Sequence, residues 1–183
     1  MSPREISVFG SSEPLPGSPL YESAREVGRC LARAGLLVLT GGYGGVMEGA
    51  SRGATEAGGR AIGVVCDIFP DRSANRYLSE TVHSRDLHER TRLLVERAAG
   101  FIVLEGKAGT LAELALLWAL HRAGCLDRRP VVLLGDRWRA LVRHLDRSGQ
   151  LEAAQLEITH HARNPEEAVI VLRQALPGEE ASE

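Results

Sequence analysis

Three stretches of this chain share one pattern: a short apolar run, a turn of small residues, and then a segment with apolar side chains at helical spacing. The turns begin at Gly10, Gly41 and Gly106. Repeated units of this kind predict an α/β fold with a mostly parallel sheet and helices on both faces. In such sheets ligands bind beyond the carboxyl ends of the strands, where the strand order reverses. The three turns are therefore expected to meet at one ligand site.

The same pattern predicts the domain bounds, strands and helices of the whole chain. A length of 183 residues with 44% hydrophobic content predicts one domain, over residues 1–176, followed by a disordered acidic tail over residues 177–183. Strands are predicted at residues 6–9, 36–39, 61–65, 81–84, 101–104, 131–134 and 158–160. Helices are predicted at residues 20–34, 46–57, 87–98, 110–120, 138–145 and 165–176.

Charge and cysteine content exclude several classes of function. The net charge of -2 comes from 22 basic and 24 acidic residues, so the balance recruits neither nucleic acid nor an anionic membrane. The start lacks the apolar run of a signal peptide, and no run reaches about 18 residues, which predicts a cytoplasmic protein. Cys30, Cys66 and Cys125 lack a CxxC pattern, so no metal site and no cofactor are expected, and buried thiols are the default.

The turn at Gly106 has the features of an anion site. Gly106 and Gly109 let the backbone approach a ligand, and the N–H groups that begin the next helix point into the same space. Lys107, the only lysine of the chain, would suit a phosphate there or would lie in solvent. The spacing from Thr110 to Glu113 also fits a capping box, which is the purely structural interpretation of Glu113.

The turn at Gly41 resembles a dinucleotide fingerprint only in part. Gly42 and Gly44 fit the spacing GxGxxG, but the third glycine position falls on Met47 and the turn follows the second strand instead of the first. NAD is therefore not expected. The polar segment over residues 66–80 is long for a connection in a compact domain, which favours a functional loop.

Several motifs together resemble one known family. VFGSS, LTGGYGGVMEGASRGATEAGG and DLHERTRLLVERAAGFIVLEGKAGTLAEL are similar, in order and spacing, to the Lonely Guy (LOG) family over residues 5–175. The resemblance implies a Rossmann-like, doubly wound fold. It also implies hydrolysis of the N-glycosidic bond of a nucleoside 5'-monophosphate, of AMP or cytokinin-nucleotide type, and a homodimer. The family was once mislabelled as lysine decarboxylases. That reaction needs a lysine that forms a Schiff base with pyridoxal phosphate, and Lys107, the only lysine, lies in the turn itself. A lysine decarboxylase is therefore not expected.

The resemblance also implies a set of site residues. Its Arg-Lys motif keeps Arg90 but has Thr91 for the lysine, and its PGGxGTxxE motif has Glu105 for the proline and Lys107 for the second glycine. Glu113 would stabilise the oxocarbenium-like transition state, and Arg90 would pair with Glu113 or with the substrate. The implied substrate-binding set is Ser11, Gly42, Gly44, Gly45, Glu48, Gly106, Lys107, Gly109 and Thr110. Glu105 would repel a phosphate if it faced the site.

The function and the role of one helix remain open at this point. Besides the hydrolase, the sequence allows a small-molecule phosphate binder of unknown role. A non-catalytic nucleotide or molybdenum-cofactor carrier of the same fold would tolerate the altered turn, whereas the retained Arg90 and Glu113 favour an enzyme. The helix over residues 111–120 is apolar nearly all round, which predicts either a dimer interface anchored by Trp118 or a central buried helix.

Overall fold

All seven strands belong to one parallel sheet. The computed structural model describes residues 4–69 and 71–177. The elements of these ranges are β1 (Glu5–Phe9), α1 (Pro19–Arg33), β2 (Leu37–Thr40), α2 (Val46–Glu56), β3 (Ala61–Cys66), β4 (Glu80–Ser84), α3 (Leu87–Arg97), β5 (Ala98–Val103), α4 (Ala108–Arg122), β6 (Val131–Leu134), α5 (Asp136–Arg147), α6 (Ala153–Glu157), β7 (Thr159–Ala162) and α7 (Pro165–Ala175). Their strand order is β4-β3-β2-β1-β5-β6-β7. The predicted Rossmann-like, doubly wound fold is confirmed, with a sheet that is parallel throughout.

The strand order reverses beside β1. The chain places β2, β3 and β4 on one side of β1 and then crosses to lay β5 along its other side, so that Ser7 pairs with both Leu39 and Phe101. The turns after β1, β2 and β5 are therefore neighbours at the carboxyl edge of the sheet. Two backbone hydrogen bonds join them: Ser11 N–H donates to Glu105 O at 3.2 Å, and Val46 N–H donates to Ser11 O at 2.9 Å.

Alternating side chains of the strands build a core on each face. In β5, Phe101 and Val103 pack in the core that contains residues of α3, α4 and α5. Ile102 of the same strand packs in the core that contains residues of α1, α2 and α7. This period of two is the geometry of an extended strand, and it requires helices on both faces. The prediction of two helical layers is confirmed.

The helix α4 starts earlier than predicted. Its N-cap is Lys107, so Thr110 is the third residue of the helix and not its first. Thr110 therefore cannot cap α4, and the capping box over Thr110 and Glu113 is wrong. The short helix α6 was not predicted, because five residues are too few to show a periodicity.

The environment of Trp118 differs from the predicted interface anchor. Trp118 is buried in the core, where its indole N–H donates to Thr159 Oγ1 at 2.9 Å. The opposite side of α4 is exposed and apolar, with Leu111 40% exposed. The alternative prediction, that this helix is wholly buried, is therefore wrong.

Two further predictions concern the ends and the length of the elements. Beyond Pro177, the predicted tail lies outside the described residues. No helix of the described ranges is long and apolar enough to cross a membrane.

Candidate active site

A cavity of about 230 Å³ opens where the turns after β1, β2 and β5 meet. Ser11 of the first turn lines it, together with Arg90 from α3 and Glu113 from α4. Lys107, Gly109 and Thr110 complete the wall formed by the start of α4. The structure thus brings together the two predicted catalytic residues and four of the nine predicted binding residues.

The turn after β1 ties the three loops together. Because the N–H of Ser11 already donates to Glu105 O, this N–H is not free to bind a ligand. The hydroxyl oxygen of Ser11 accepts from Glu13 N–H at 3.2 Å. Ser12 and Glu13, which the sequence did not single out, also line the cavity.

The glycines of the turn after β2 shape the site without lining it. Gly42 and Gly45 have φ angles of 79° and 69°, a region that glycine adopts without strain. A Cβ on Gly45 would overlap the Ser11 carbonyl, so this glycine allows the first two turns to pack. Gly42, Gly44 and Gly45 are not among the lining residues; Tyr43 and Met47, between and after them, are.

Glu48 lies outside the cavity. Its carboxylate accepts a hydrogen bond at 3.0 Å from the hydroxyl of Tyr21, a fully buried residue of α1. This bond holds the Glu48 side chain at the contact between α1 and α2. The predicted role of Glu48 in substrate binding therefore has no support in the geometry.

Arg90 is held by the ends of two strands. Its Nε donates to Val64 O at 2.9 Å and its Nη2 to Gly41 O at 3.0 Å, while the guanidinium carbon lies 5.5 Å from the centre of the Tyr43 ring. Among the described residues, Nη1 has no hydrogen-bond partner. Burial lowers the pKa of Arg90, and the Glu113 carboxylate opposes that shift. The guanidinium of Arg90 is therefore anchored in the cavity, where the family motif predicts it.

Glu113 has the most perturbed carboxyl group of the site. Burial raises its pKa to about 7 from an ordinary value of 4.5, and the positive charge of Arg90 opposes part of the rise. Within the described ranges Glu113 makes no hydrogen bond and no ion pair within 4.0 Å, not even with Arg90. A carboxyl group that titrates near neutral pH inside a cavity is typical of a general acid or base.

The two substitutions in the glycine motif affect the site differently. The Glu105 carboxylate pairs with Arg137 Nε at 3.5 Å and is not among the lining residues, so it does not face a bound phosphate. Lys107 does line the cavity, where its Nζ lies 2.7 Å from Glu13 Oε1. Gly106 does not line the cavity; its missing Cβ makes room for the Thr110 side chain.

The loop over residues 66–80 supplies residues that the sequence analysis did not name. The guanidinium carbon of Arg72 lies 4.8 Å from the centre of the Phe69 ring and 5.9 Å from that of Tyr43. Both Phe69 and Arg72 line the cavity. The only signal in the sequence was the unusual length of this loop.

A larger groove of about 740 Å³ runs between α3 and α4 and shares Arg90 and Glu113 with the cavity. Ala112, Leu116 and Leu120, four residues apart on α4, form one apolar wall. Glu113 therefore stands where a polar cavity meets an apolar groove.

One group of side chains outside the site has metal-ligand spacing. Donor atoms of Glu26, Cys30 and Glu166 lie within 4.8 Å of one another. Glu26 is paired with Arg29, however, and burial raises the pKa of the Cys30 thiol to about 11. This group lies outside the cavity and is not part of the candidate site.

Comparisons with known proteins identify the family of this chain. The model of the SLOG cluster4 family matches residues 3–169. The chain belongs to the SLOG cluster4 family. The resemblance to LOG proteins is also confirmed: the chain is 30% identical to the cytokinin riboside 5'-monophosphate phosphoribohydrolase of Rhodococcoides fascians, over 79% of this chain and 75% of that protein. It is 33% identical to the protein of the same name from Mycobacterium marinum, over 73% of this chain and 71% of that protein.

Solved structures of this SLOG fold include a different type of protein. The molybdenum cofactor binding protein of Rippkaea orientalis superposes with a TM-score of 0.76 over 97% of this chain and 99% of that chain, at 24% sequence identity. At this identity the likeness establishes the fold alone.

Proposed function

We propose that this protein hydrolyses the N-glycosidic bond of a nucleoside 5'-monophosphate and releases a free base and ribose 5-phosphate. The observation that carries the proposal is the carboxyl group of Glu113, whose pKa is raised to about 7 in a cavity that it shares with Arg90 and the start of α4. The names of the bacterial relatives support the same activity.

The start of α4 is the proposed phosphate site. The first N–H groups of a helix have no partner within the helix, and the helix dipole favours an anion beside them. Gly109 and Thr110 belong to this first turn, and Lys107 lies at the N-cap. A phosphate bound there places the ribose along the wall of the cavity that leads to Glu113.

Glu113 is the proposed catalytic carboxylate. As the C–N bond breaks, positive charge develops on the ribose ring, and an ionised carboxylate beside the anomeric carbon stabilises it. The same carboxylate accepts a proton from the water whose oxygen bonds to that carbon. Glu113 then releases this proton, which passes through solvent to the ring nitrogen of the departing base; the carboxylate is restored and the hydrolysis is complete.

Arg90 is proposed to act through its free Nη1. Val64 O and Gly41 O accept hydrogen bonds from Nε and Nη2 and hold the guanidinium in place before a substrate enters. Its Nη1 donors are left to orient the ribose or the departing base, and such fixed positioning lowers the entropic part of the barrier.

The groove between α3 and α4 supports a base with an apolar substituent. It begins at Glu113, where the glycosidic bond is cleaved in this proposal, and its α4 wall is apolar. We therefore propose that the substrate is of AMP or cytokinin-nucleotide type.

We also propose that the protein is located in the cytoplasm, where such nucleotides occur, and that it does not bind nucleic acid.

The carrier alternative is less well supported. A protein that only stores or transports a cofactor gains nothing from a buried carboxyl group of raised pKa, which lowers the stability of the fold at neutral pH. The molybdenum cofactor binding protein shares the fold at 24% identity, which does not transfer its ligand.

We propose a homodimer that covers the exposed apolar side of α4. Sedimentation equilibrium should find a dimer, and Leu111→Glu should convert it to a monomer because it places a charge on that surface. Ile170→Glu is the control, since Ile170 is 56% exposed but lies on α7. A monomeric wild type would refute the dimer.

A panel of nucleoside 5'-monophosphates tests the activity. The purified protein is incubated with each, and release of free base is followed by chromatography, with Glu113→Gln in parallel. Release that disappears in the variant supports the proposal and identifies the base. Release that is equal in the variant removes Glu113 from the mechanism, and no release from any nucleotide refutes the hydrolase.

A further inference from the structure

We infer that Arg72 binds the phosphate group of the substrate together with the start of α4, and so makes the site selective for phosphorylated ligands. The inference rests on the proposed function only in placing a phosphorylated ligand in this cavity. Arg72 lies in the long loop after β3, and it lines the same cavity as Lys107, Thr110 and Glu113.

The packing of Arg72 leaves its N–H groups available. The guanidinium carbon lies over the Phe69 ring at 4.8 Å and over the Tyr43 ring at 5.9 Å. The positive charge of the guanidinium lies beside both rings, and its edge carries five N–H donors. None of these donors has a partner within the described part of the chain. A guanidinium edge of this kind binds two oxygens of a phosphate at once.

The charges around the cavity single out Arg72. Lys107 is neutralised by Glu13, which lies 2.7 Å away. Arg90 is bound to two backbone carbonyls, and Glu113 is the nearby charge that acts on it most strongly. Arg72 takes part in no ion pair among the described residues, so it supplies the uncompensated positive charge that a phosphate dianion needs.

Asn75 fixes the loop that carries Arg72. Its backbone N–H donates to Gly42 O at 2.8 Å, and its side-chain amide donates to Gly42 O at 3.2 Å and to Tyr43 O at 3.1 Å. These three bonds attach the loop to the turn after β2, three residues beyond Arg72. The arginine is therefore held in place before a ligand arrives, which reduces the entropic cost of binding.

The same loop provides a matched control. Arg76 lies four residues after Arg72, and its guanidinium stacks on Tyr77 with the carbon 5.0 Å from the ring centre. Both arginines are exposed and both stack on an aromatic ring, but Arg76 is not among the residues that line the cavity. Arg72→Gln and Arg76→Gln thus remove the same charge from the same loop.

Calorimetric titration with ribose 5-phosphate tests the inference without any need for catalysis. Arg72→Gln should weaken binding about tenfold, the loss of one charge-assisted contact, whereas Arg76→Gln should leave the affinity unchanged. The affinity of the wild type should also fall more steeply with salt concentration than that of Arg72→Gln. Equal weakening by both substitutions would show a long-range effect of charge and would overturn the inference, as would unchanged binding by Arg72→Gln.

The outcome separates the inference from the proposed hydrolase. If Arg72→Gln loses affinity and no nucleotide is cleaved, Arg72 binds phosphate in a protein that is not a hydrolase. If nucleotides are cleaved and Arg72→Gln binds ribose 5-phosphate as tightly as the wild type, the hydrolase stands and the inference is wrong. A wild type that fails to bind ribose 5-phosphate would overturn it as well.

Discussion

Gly41 accepts a hydrogen bond from Arg90 Nη2 at 3.0 Å, and a Cβ on Gly41 would overlap that same nitrogen. The absence of a side chain at position 41 is therefore what allows Arg90 to reach the ends of β2 and β3. The motif residue Arg90 and the glycine turn, 49 positions apart in the chain, form one structural unit.

Gly41→Ala is expected to displace the Arg90 guanidinium and to lower kcat by roughly a hundredfold, since misplacing a catalytic group by about 1 Å has an effect of that size. Gly44→Ala is the control in the same turn, because the nearest atom to its Cβ would be Ser12 O at 3.7 Å, an ordinary contact. Steady-state kinetics with the cleaved nucleotide measures both. Equal activity of the two variants would mean that the position of Arg90 does not matter.

The raised pKa of Glu113 predicts the pH dependence of the reaction. In the proposed mechanism the ionised form is active, so kcat/KM should rise tenfold per pH unit in acid and level off above a pH of about 7. Glu113→Gln should lower kcat by roughly a thousandfold and abolish this dependence. Glu105→Gln, which changes a carboxylate of the neighbouring turn that does not line the cavity, should retain the profile.

The same pKa predicts a pH-dependent stability. Because the pKa of Glu113 is about 7 in the folded chain and 4.5 for an ordinary glutamate, the folded chain binds more protons between these values, and its stability falls as the pH rises through this range. Glu113→Gln removes the buried charge and should raise the free energy of unfolding by about 3 kcal/mol at pH 8, with a gain that shrinks toward pH 4.5. Urea denaturation at both pH values measures it. A variant that is less stable than the wild type at pH 8 would contradict the assigned burial.

The pair between Lys107 and Glu13 predicts that a neutral residue at position 13 improves phosphate binding. Glu13→Gln frees Lys107 and should tighten the Kd for ribose 5-phosphate about two- to fivefold, the range of an exposed ion pair. Lys107→Gln should weaken the binding of ribose 5-phosphate. The double variant Lys107→Gln/Glu13→Gln should bind no more tightly than Lys107→Gln alone, because it has no lysine to release. Weaker binding by Glu13→Gln alone would instead place Glu13 in contact with the ligand.

Part of this site was visible in the sequence because it is encoded locally. Glycines at Gly41, Gly42, Gly106 and Gly109, each after an apolar run, indicate strand-to-helix turns, and parallel strands bring such turns to one edge. The motif residues Arg90 and Glu113 were named from the same pattern and its family resemblance, and the structure places both at that edge.

Other features depended on partners that are distant in the chain. The sequence predicts a ligand contact for Glu48, but the buried hydroxyl of Tyr21 donates a hydrogen bond to its carboxylate. The sequence also predicts an interface anchor at Trp118, but its indole N–H donates to Thr159. Arg72 gave no signal, because nothing in its own segment says that Phe69 and Tyr43 will enclose its guanidinium.

The sequence by itself determined the order of the strands and of the helices other than α6, the parallel sheet and the family motifs, and it indicated the edge of the sheet at which we propose that a ligand binds. These features follow from periodicity and from glycine placement over a few residues. Only the tertiary structure decided which side chains face the cavity and what charge they carry. Burial raises the pKa of Glu113 and two backbone carbonyls fix Arg90, and both effects arise from atoms that the fold brings together from far along the chain.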